Sequence, residues 1–226
     1  MHRLTLVLIA TLTVVSSAMA GTTCPSGGYD LYSPQAIGTL TGSITCATNN
    51  LGFSEFQFGS SASGGASTPT PSSITVTPQT TLGDEGFTFS ESFIEGVGQS
   101  QDANILFEVT AAPGTTIDDL FIFFNGTATG NGAVSFSETY CTTSFSTGCN
   151  TFSTSSSVSQ HIDITPTTHL FITKDFGANG GTDGTAHVSL VQNNFSNVPE
   201  PSQIGFVLAG MVGLFFARRK VRGSAA

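Results

Sequence analysis

Residues 115–140 read TTIDDLFIFFNGTATGNGAVSFSETY, and this stretch decides the fold. Leu120, Ile122 and Phe124 alternate with Phe121 and Phe123, the period of two that belongs to a β-strand, here with apolar residues on both faces. Such a strand is expected to lie centrally in its sheet, covered on both sides. Asn125-Gly126 follows at once, a dipeptide that tolerates positive φ and favours a type I′ hairpin turn. Beyond it, Val134, Phe136 and Tyr140 alternate with small polar residues, which predicts the next strand over Ala133 to Tyr140.

The same period runs outward in both directions. Leu40, Ile44 and Cys46 come first, then Phe56 and Phe58, then Ile74 and Val76. Phe87, Phe89 and Phe93 share one face, as do Ile105, Phe107 and Val109. Ile162 and Ile164, Leu170 and Ile172, and Val188 and Leu190 complete about ten strands, separated by Gly, Pro, Asn and Ser clusters. No helical i, i+3, i+4, i+7 pattern occurs between the two chain ends. Residues 60–73, SSASGGASTPTPSS, lack apolar periodicity and predict an exposed loop. The expected architecture is all-β, a single antiparallel β-sandwich of jelly-roll type.

Composition narrows the function. Of 226 residues only 9% are charged, against about 25% in ordinary soluble proteins. Phe reaches 19 and Trp is absent. All fifteen acids lie between Asp30 and Glu200, where Lys174 is the single base, so this body carries 1 − 15 = −14. One cation cannot neutralise a phosphate backbone, which excludes nucleic acid as a partner.

The remaining bases sit at the two ends. Met1, His2 and Arg3 precede an apolar run from Leu4 to Val15, and Ala18-Met19-Ala20 forms an A-x-A cleavage pattern before Gly21. This predicts a secretory signal peptide over residues 1–20, because the apolar run falls short of the ~20 residues that a spanning helix needs. An uncleaved N-terminal anchor is the alternative. At the other end, Val198-Pro199-Glu200-Pro201 is followed by an apolar segment at 204–217 and then by Arg218-Arg219-Lys220 in a basic tail at 218–222. The apolar segment predicts one short transmembrane helix, and the basic cluster would stay cytoplasmic, leaving the acidic body outside.

This ending resembles the PEP-CTERM sorting signal of exported bacterial proteins. The resemblance covers 198–222 and implies recognition by an exosortase, with cleavage near the Pro-Glu-Pro motif. It also implies association with cell surface, exopolysaccharide and biofilm matrix. A plain C-terminal anchor is the alternative, in which the membrane helix is retained. The domain plan is therefore signal peptide 1–20, β-sandwich ectodomain 21–197 and sorting signal 198–222, with signal peptidase and exosortase as processing partners.

Cys24, Cys46, Cys141 and Cys149 all lie in the exported part, where an even count reads as two disulfides. Three connectivities are possible; proximity in sequence favours Cys24–Cys46 and Cys141–Cys149. Neither pair has the C-x₂₋₄-C spacing of a zinc site or the C-x-x-C of a redox motif.

Signals of catalysis are scarce. There is no G-x-S-x-G elbow, no H-E-x-x-H and no P-loop, so no catalytic residue is assigned and no metal or other cofactor is expected. His161-Ile162-Asp163 puts an imidazole and an acid on one strand face, which would begin a metal site but suits a solvated face equally. Residues 177–184, GANGGTDG, resemble a Gly-Asp-rich calcium loop only loosely and read better as a glycine-rich turn. The neighbours Asp84-Glu85 and Asp118-Asp119 should point to opposite faces of any strand they occupy. The expected function is a non-catalytic surface or matrix structural protein. The alternative is a secreted carbohydrate-binding module, which the absence of Trp and the small number of Tyr disfavour. A secreted hydrolase and an ice-binding face built on Thr39, Thr41 and Thr45 or Thr75 and Thr77 come behind.

Overall fold

The computed structural model describes residues 22–23, 29–30, 46–48, 51–81, 84–199 and 211. The signal segment with Ala18, Ala20 and Gly21, the cysteine Cys24, the threonines Thr39, Thr41 and Thr45, and the tail from Glu200 through Lys220 (Met211 apart) lie outside the described residues.

Thirteen strands run in order through the described residues. The first three are short: β1 (Thr22–Thr23), β2 (Tyr29–Asp30) and β3 (Cys46–Thr48). β4 (Leu51–Ser63), β5 (Thr75–Thr81), β6 (Asp84–Glu95), β7 (Ser100–Ala111) and β8 (Thr115–Thr129) follow. β9 (Ala133–Ser144), β10 (Thr147–Thr154), β11 (Val158–Thr167), β12 (His169–Asn179) and β13 (Thr185–Pro199) complete the chain. They form a seven-stranded sheet, β1-β3-β4-β7-β12-β9-β10, and a six-stranded sheet, β11-β8-β13-β6-β5-β2. Every pairing is antiparallel except that of β1 with β3. From β6 onward, β6-β13-β8-β11 fall in one layer and β7-β12-β9-β10 in the other. This is jelly-roll order, in which one long antiparallel ladder rolls across two sheets.

Phenylalanine fills the space between the layers. Phe56 stacks on Phe107 at 5.1 Å between ring centroids, and Phe53 meets Phe87 edge-on at 4.7 Å. Farther along, Phe124 stacks on Phe136 at 5.1 Å and Phe93 on Phe176 at 5.5 Å. Burying one such ring contributes roughly 2–3 kcal/mol, with a further increment for favourable ring geometry.

Bulges reconcile the core with the sequence. Phe53 and Phe56 are both buried although three residues apart, because the β4–β7 register shifts between Ser54 and Gln57 and Glu55 takes a φ of 56°. Val188 and Val191 are brought inward the same way, by a register shift between Val188 and Leu190.

Three expectations change. Asn125-Gly126 is not a hairpin turn but part of β8, facing the β13 bulge, where Asn125 Nδ2 donates to Ser189 Oγ at 3.0 Å. Gly126 is needed there because a Cβ would come within 2.7 Å of the Phe124 ring. The turn comes later, where Gly130 has a φ of 58° and Gly132 N donates to Thr129 O. Second, residues 60–63 belong to β4, because Ser100 to Ala103 of β7 supply them with backbone partners; the loop begins at Gly64. Third, the Leu120–Phe124 segment lies next to the edge strand β11, with Leu120, Ile122 and Phe124 buried and Phe121 and Phe123 only half-buried on the outer face.

Candidate functional site

Of the sequence-singled residues, Cys141 and Cys149 are disulfide-bonded. They face each other in the β9–β10 ladder, so the bridge closes the outer edge hairpin of the seven-stranded sheet. The Cys24–Cys46 pairing falls outside the described residues. Val198 and Pro199 pair with Thr116 and Thr115 at the end of β13. The rest of the sorting motif, Glu200, Pro201, Arg218, Arg219 and Lys220, lies beyond. Among the described residues, no helix is long and apolar enough to cross a membrane.

The acid within ion-pair distance of His161 is Asp119, from the neighbouring strand. On β11 His161 stands opposite Phe121 of β8, its ring 4.9 Å from that of Phe121, and its Nδ1 lies 3.8 Å from Asp119 Oδ2. Asp84, at the start of β6, completes a group whose ligand-type atoms lie within 4.8 Å of one another. Burial, with the charges of Asp119 and Asp118, lifts the Asp84 carboxyl above its ordinary value, against the opposing effect of His161. Two carboxylates and an imidazole are a donor set that a divalent cation accepts. Asp118 itself accepts a hydrogen bond from Ser196 Oγ at 2.8 Å. Asp84 and Glu85 split between the faces as the strand period requires, with Glu85 the buried one. The 177–184 segment is a turn: Asp183 Oδ1 accepts from the Asn131 amide at 3.2 Å, while Asn131 Oδ1 accepts from the Asp183 amide at 3.0 Å.

Two surface features leave no signal in the spacing of the sequence. A groove of about 550 Å³ crosses the outer face of the seven-stranded sheet, lined by Asp102, Asp175, Ser135, Ser137 and Ser153 among others. Burial, then the charge of Asp175 and a hydrogen bond to it, push the Asp102 carboxyl up to about 6. The second is a cleft of about 600 Å³ between the edge strands β10 and β11, lined by Tyr140, Thr142, Asn150, Ile164 and Thr165 among others.

The interior holds a third. Lys174 of β12 and Glu138 of β9 stand opposite each other, both 0% exposed, and Lys174 Nζ donates to Glu138 Oε2. Asn193 of β13, also 0% exposed, enters from the facing sheet; its Nδ2 donates to Phe121 O at 3.1 Å, and its amide lies close enough to Glu138 to favour the ionised carboxyl. Burial outweighs these attractions: it raises the Glu138 carboxyl and lowers the Lys174 ammonium. The sequence does carry the signal. Leu170, Ile172, Lys174, Phe176 and Ala178 are in phase, as are Val134, Phe136, Glu138 and Tyr140, and Val191, Asn193 and Phe195. A polar residue in phase with an apolar face is one aimed at the core.

No family model matches the chain, and no curated relative does. Among solved structures it is similar to TmCBM61, solved in complex with β-1,4-galactotriose, with a TM-score of 0.32 and 11% identity over 63% of this chain and 88% of that one. It is also similar to the enzymatically active domain of bacteriophage CBA120 tailspike protein 4, with a TM-score of 0.26 and 13% identity over 59% of this chain and 19% of that one. Similarities this remote say nothing about ligand or activity here.

Proposed function

We propose that the chain is an exported, exosortase-sorted surface or extracellular-matrix protein whose β-sandwich acts as a structural module and not as an enzyme. The observation that supports this reading is the place of the last described strand, β13, which ends at Pro199 in the Pro-Glu-Pro motif. β13, flanked by β8 and β6 in its sheet, pairs with β8 through Val198 and Pro199, so cleavage close to Glu200 would leave every strand among the described residues on the released side. Signal peptidase would cut before Gly21, and the 204–217 segment would hold a single-pass precursor in the membrane until exosortase acts. Intact-mass measurement of the native protein from an exosortase-positive host tests the reading. The expected species begins at Gly21 and ends near Val198 or Pro199; a mass that includes Arg218 to Arg222 overturns the sorting.

The β10–β11 cleft favours a second reading, in which the same sandwich binds a matrix polysaccharide. Tyr140, Asn150, Thr142 and Thr165 all line the cleft, an aromatic ring, an amide and two hydroxyls, the mixture that suits a sugar ring and its hydroxyl groups. A body with fourteen net negative charges would take a neutral glycan in preference to an anionic one. Titration with neutral polysaccharides should give binding that Tyr140→Ala removes, and no binding across a glycan array would leave the structural role alone.

A further inference from the structure

The body's single lysine is buried where its charge has no access to water, beside an acid and a carboxamide that are equally enclosed. Lys174 and Asn193 belong to opposite sheets, and both converge on Glu138. Phe136 covers the amine, its ring centroid 5.4 Å from Nζ, and Phe124 stacks on Phe136 from the other layer. Glu138 Oε1 and Asn193 Oδ1 are buried without a hydrogen-bond partner. An unpaired buried polar atom is costly, and a buried ion pair in such surroundings stabilises no more than apolar residues of the same shape would. Packing alone therefore gives no reason for these three residue types to meet.

From this arrangement we infer that Lys174 and Asn193 form an intramolecular amide bond across the sandwich, with Glu138 as the proton carrier. The Lys174 Nζ lone pair attacks Asn193 Cγ, making a new C–N bond. Glu138 accepts a proton from Nζ and delivers one to Asn193 Nδ2, and the Cγ–Nδ2 bond breaks to release ammonia. Nothing is oxidised or reduced, and no co-reactant is consumed. Apolar burial favours the required starting state, a neutral amine beside a protonated carboxyl, since both charged forms are disfavoured there. Fixing nucleophile, acid–base group and carboxamide in one core supplies the effective concentration that an isolated amine and amide lack. The product ties β12 of one sheet to β13 of the other. The two layers could then not separate without breaking a covalent bond.

The sequence provides the assay. Between Gly21 and Pro199, Lys174 is the only lysine or arginine, hence the only trypsin site. The full chain, recovered from its host, denatured and reduced, is digested with trypsin and weighed. The expected result is a body about 17 Da lighter than its sequence, the mass of ammonia, that resists cleavage after Lys174. A second protease should then yield one branched peptide containing both Lys174 and Asn193. Glu138→Gln should abolish the mass loss and restore tryptic cleavage. The wild-type digest decides by itself should that variant misfold. An unreduced mass with complete cleavage at Lys174 overturns the inference.

Discussion

Asp102 lies against Asp175 on the outer face of the seven-stranded sheet, where burial first, and then the charge of Asp175 and a hydrogen bond to it, push the Asp102 carboxyl up to about 6. The two residues belong to neighbouring strands, with Asp102 opposite Gly177 and Asp175 opposite Asn104, so they meet on a diagonal. Gly177 keeps the space open, because a Cβ there would come within 3.2 Å of Asp102 Oδ2. The consequence is a dependence of stability on pH. The unfolded Asp102 carboxyl ionises near 3.8 and the folded one at about 6. Between those values the folded chain holds the extra proton, so stability falls as pH rises through the window. Asp84 and Glu95 are shifted in the same upward direction, while the raised Glu138 carboxyl is opposed by its buried partner Lys174, whose lowered ammonium acts in the opposite sense. The melting temperature is therefore expected to be higher near pH 5 than at pH 7. Asp102→Asn should stabilise the protein at pH 7 by on the order of 1 kcal/mol, a figure reduced for the partial exposure of the site, and by nothing at pH 4. Paired melts of wild type and variant at the two pH values check this.

The Cys141–Cys149 bridge should be worth less than its position suggests. It spans a sequence separation of 8, for which the chain-entropy model gives about 2.5 kcal/mol. Replacing both residues by Ser should lower stability by about that amount and loosen β10, the outermost strand of its sheet. Hydrogen exchange should show the loss confined to the β9–β10 hairpin. Peptide mapping without reductant should recover the two half-cystines linked to each other, and free thiols at both positions would refute the pairing.

The all-β class and most core positions were legible in the sequence because the side-chain period of a strand is a local property. Most of the failures come from partners that are distant in sequence. Asn125-Gly126 has the composition of a turn, but its partner is a bulge in β13, which comes 64 residues after Asn125 and leaves no trace near it. The Phe53 to Phe56 spacing breaks the period, and only the left-handed Glu55 repairs it. Along its own strand, His161 has only Asp163 as an acidic neighbour on the same face. Its neighbours Asp119 and Asp84 arrive from other strands, which no spacing rule reaches. For Lys174, Glu138 and Asn193 the phase was visible in each strand taken alone, but their convergence required the jelly-roll order.

The centre of the aromatic core is the place where one substitution should cost most. Phe107 is fully buried and is flanked by the rings of Phe56 at 5.1 Å, Phe89 at 5.9 Å and Phe195 at 6.3 Å, drawn from both sheets. Phe107→Ala should destabilise by about 3–5 kcal/mol, the transfer term plus that of a cavity which three rigid rings cannot collapse to fill. Denaturant unfolding with an unchanged m-value would attribute the loss to the folded core. A loss under about 1 kcal/mol would mean that the two layers pack elsewhere.

Salt should separate general screening from a specific cation. The body carries fourteen net negative charges, and its one lysine is buried against Glu138, so nothing at the surface offsets the repulsion except histidines and added ions. Screening reaches about 10 Å at 0.1 M, so moderate NaCl should raise the melting temperature. Ca²⁺ should add little beyond its ionic strength, because Asp118 and Asp183 are already hydrogen-bonded to Ser196 and Asn131. Asp84, Asp119 and His161 are the place where this expectation is most exposed to failure, since they bring three donor atoms together. A cation held there at 1,000 times its Kd would add about 4 kcal/mol that NaCl cannot reproduce. Melts in EDTA, in CaCl₂ or ZnCl₂, and in NaCl of matched ionic strength distinguish the two outcomes. A cation-specific rise that Asp119→Asn abolishes would assign the three residues as ligands; a rise common to all salts and unchanged in that variant would leave them as a screened acid–histidine pair beside a third carboxylate.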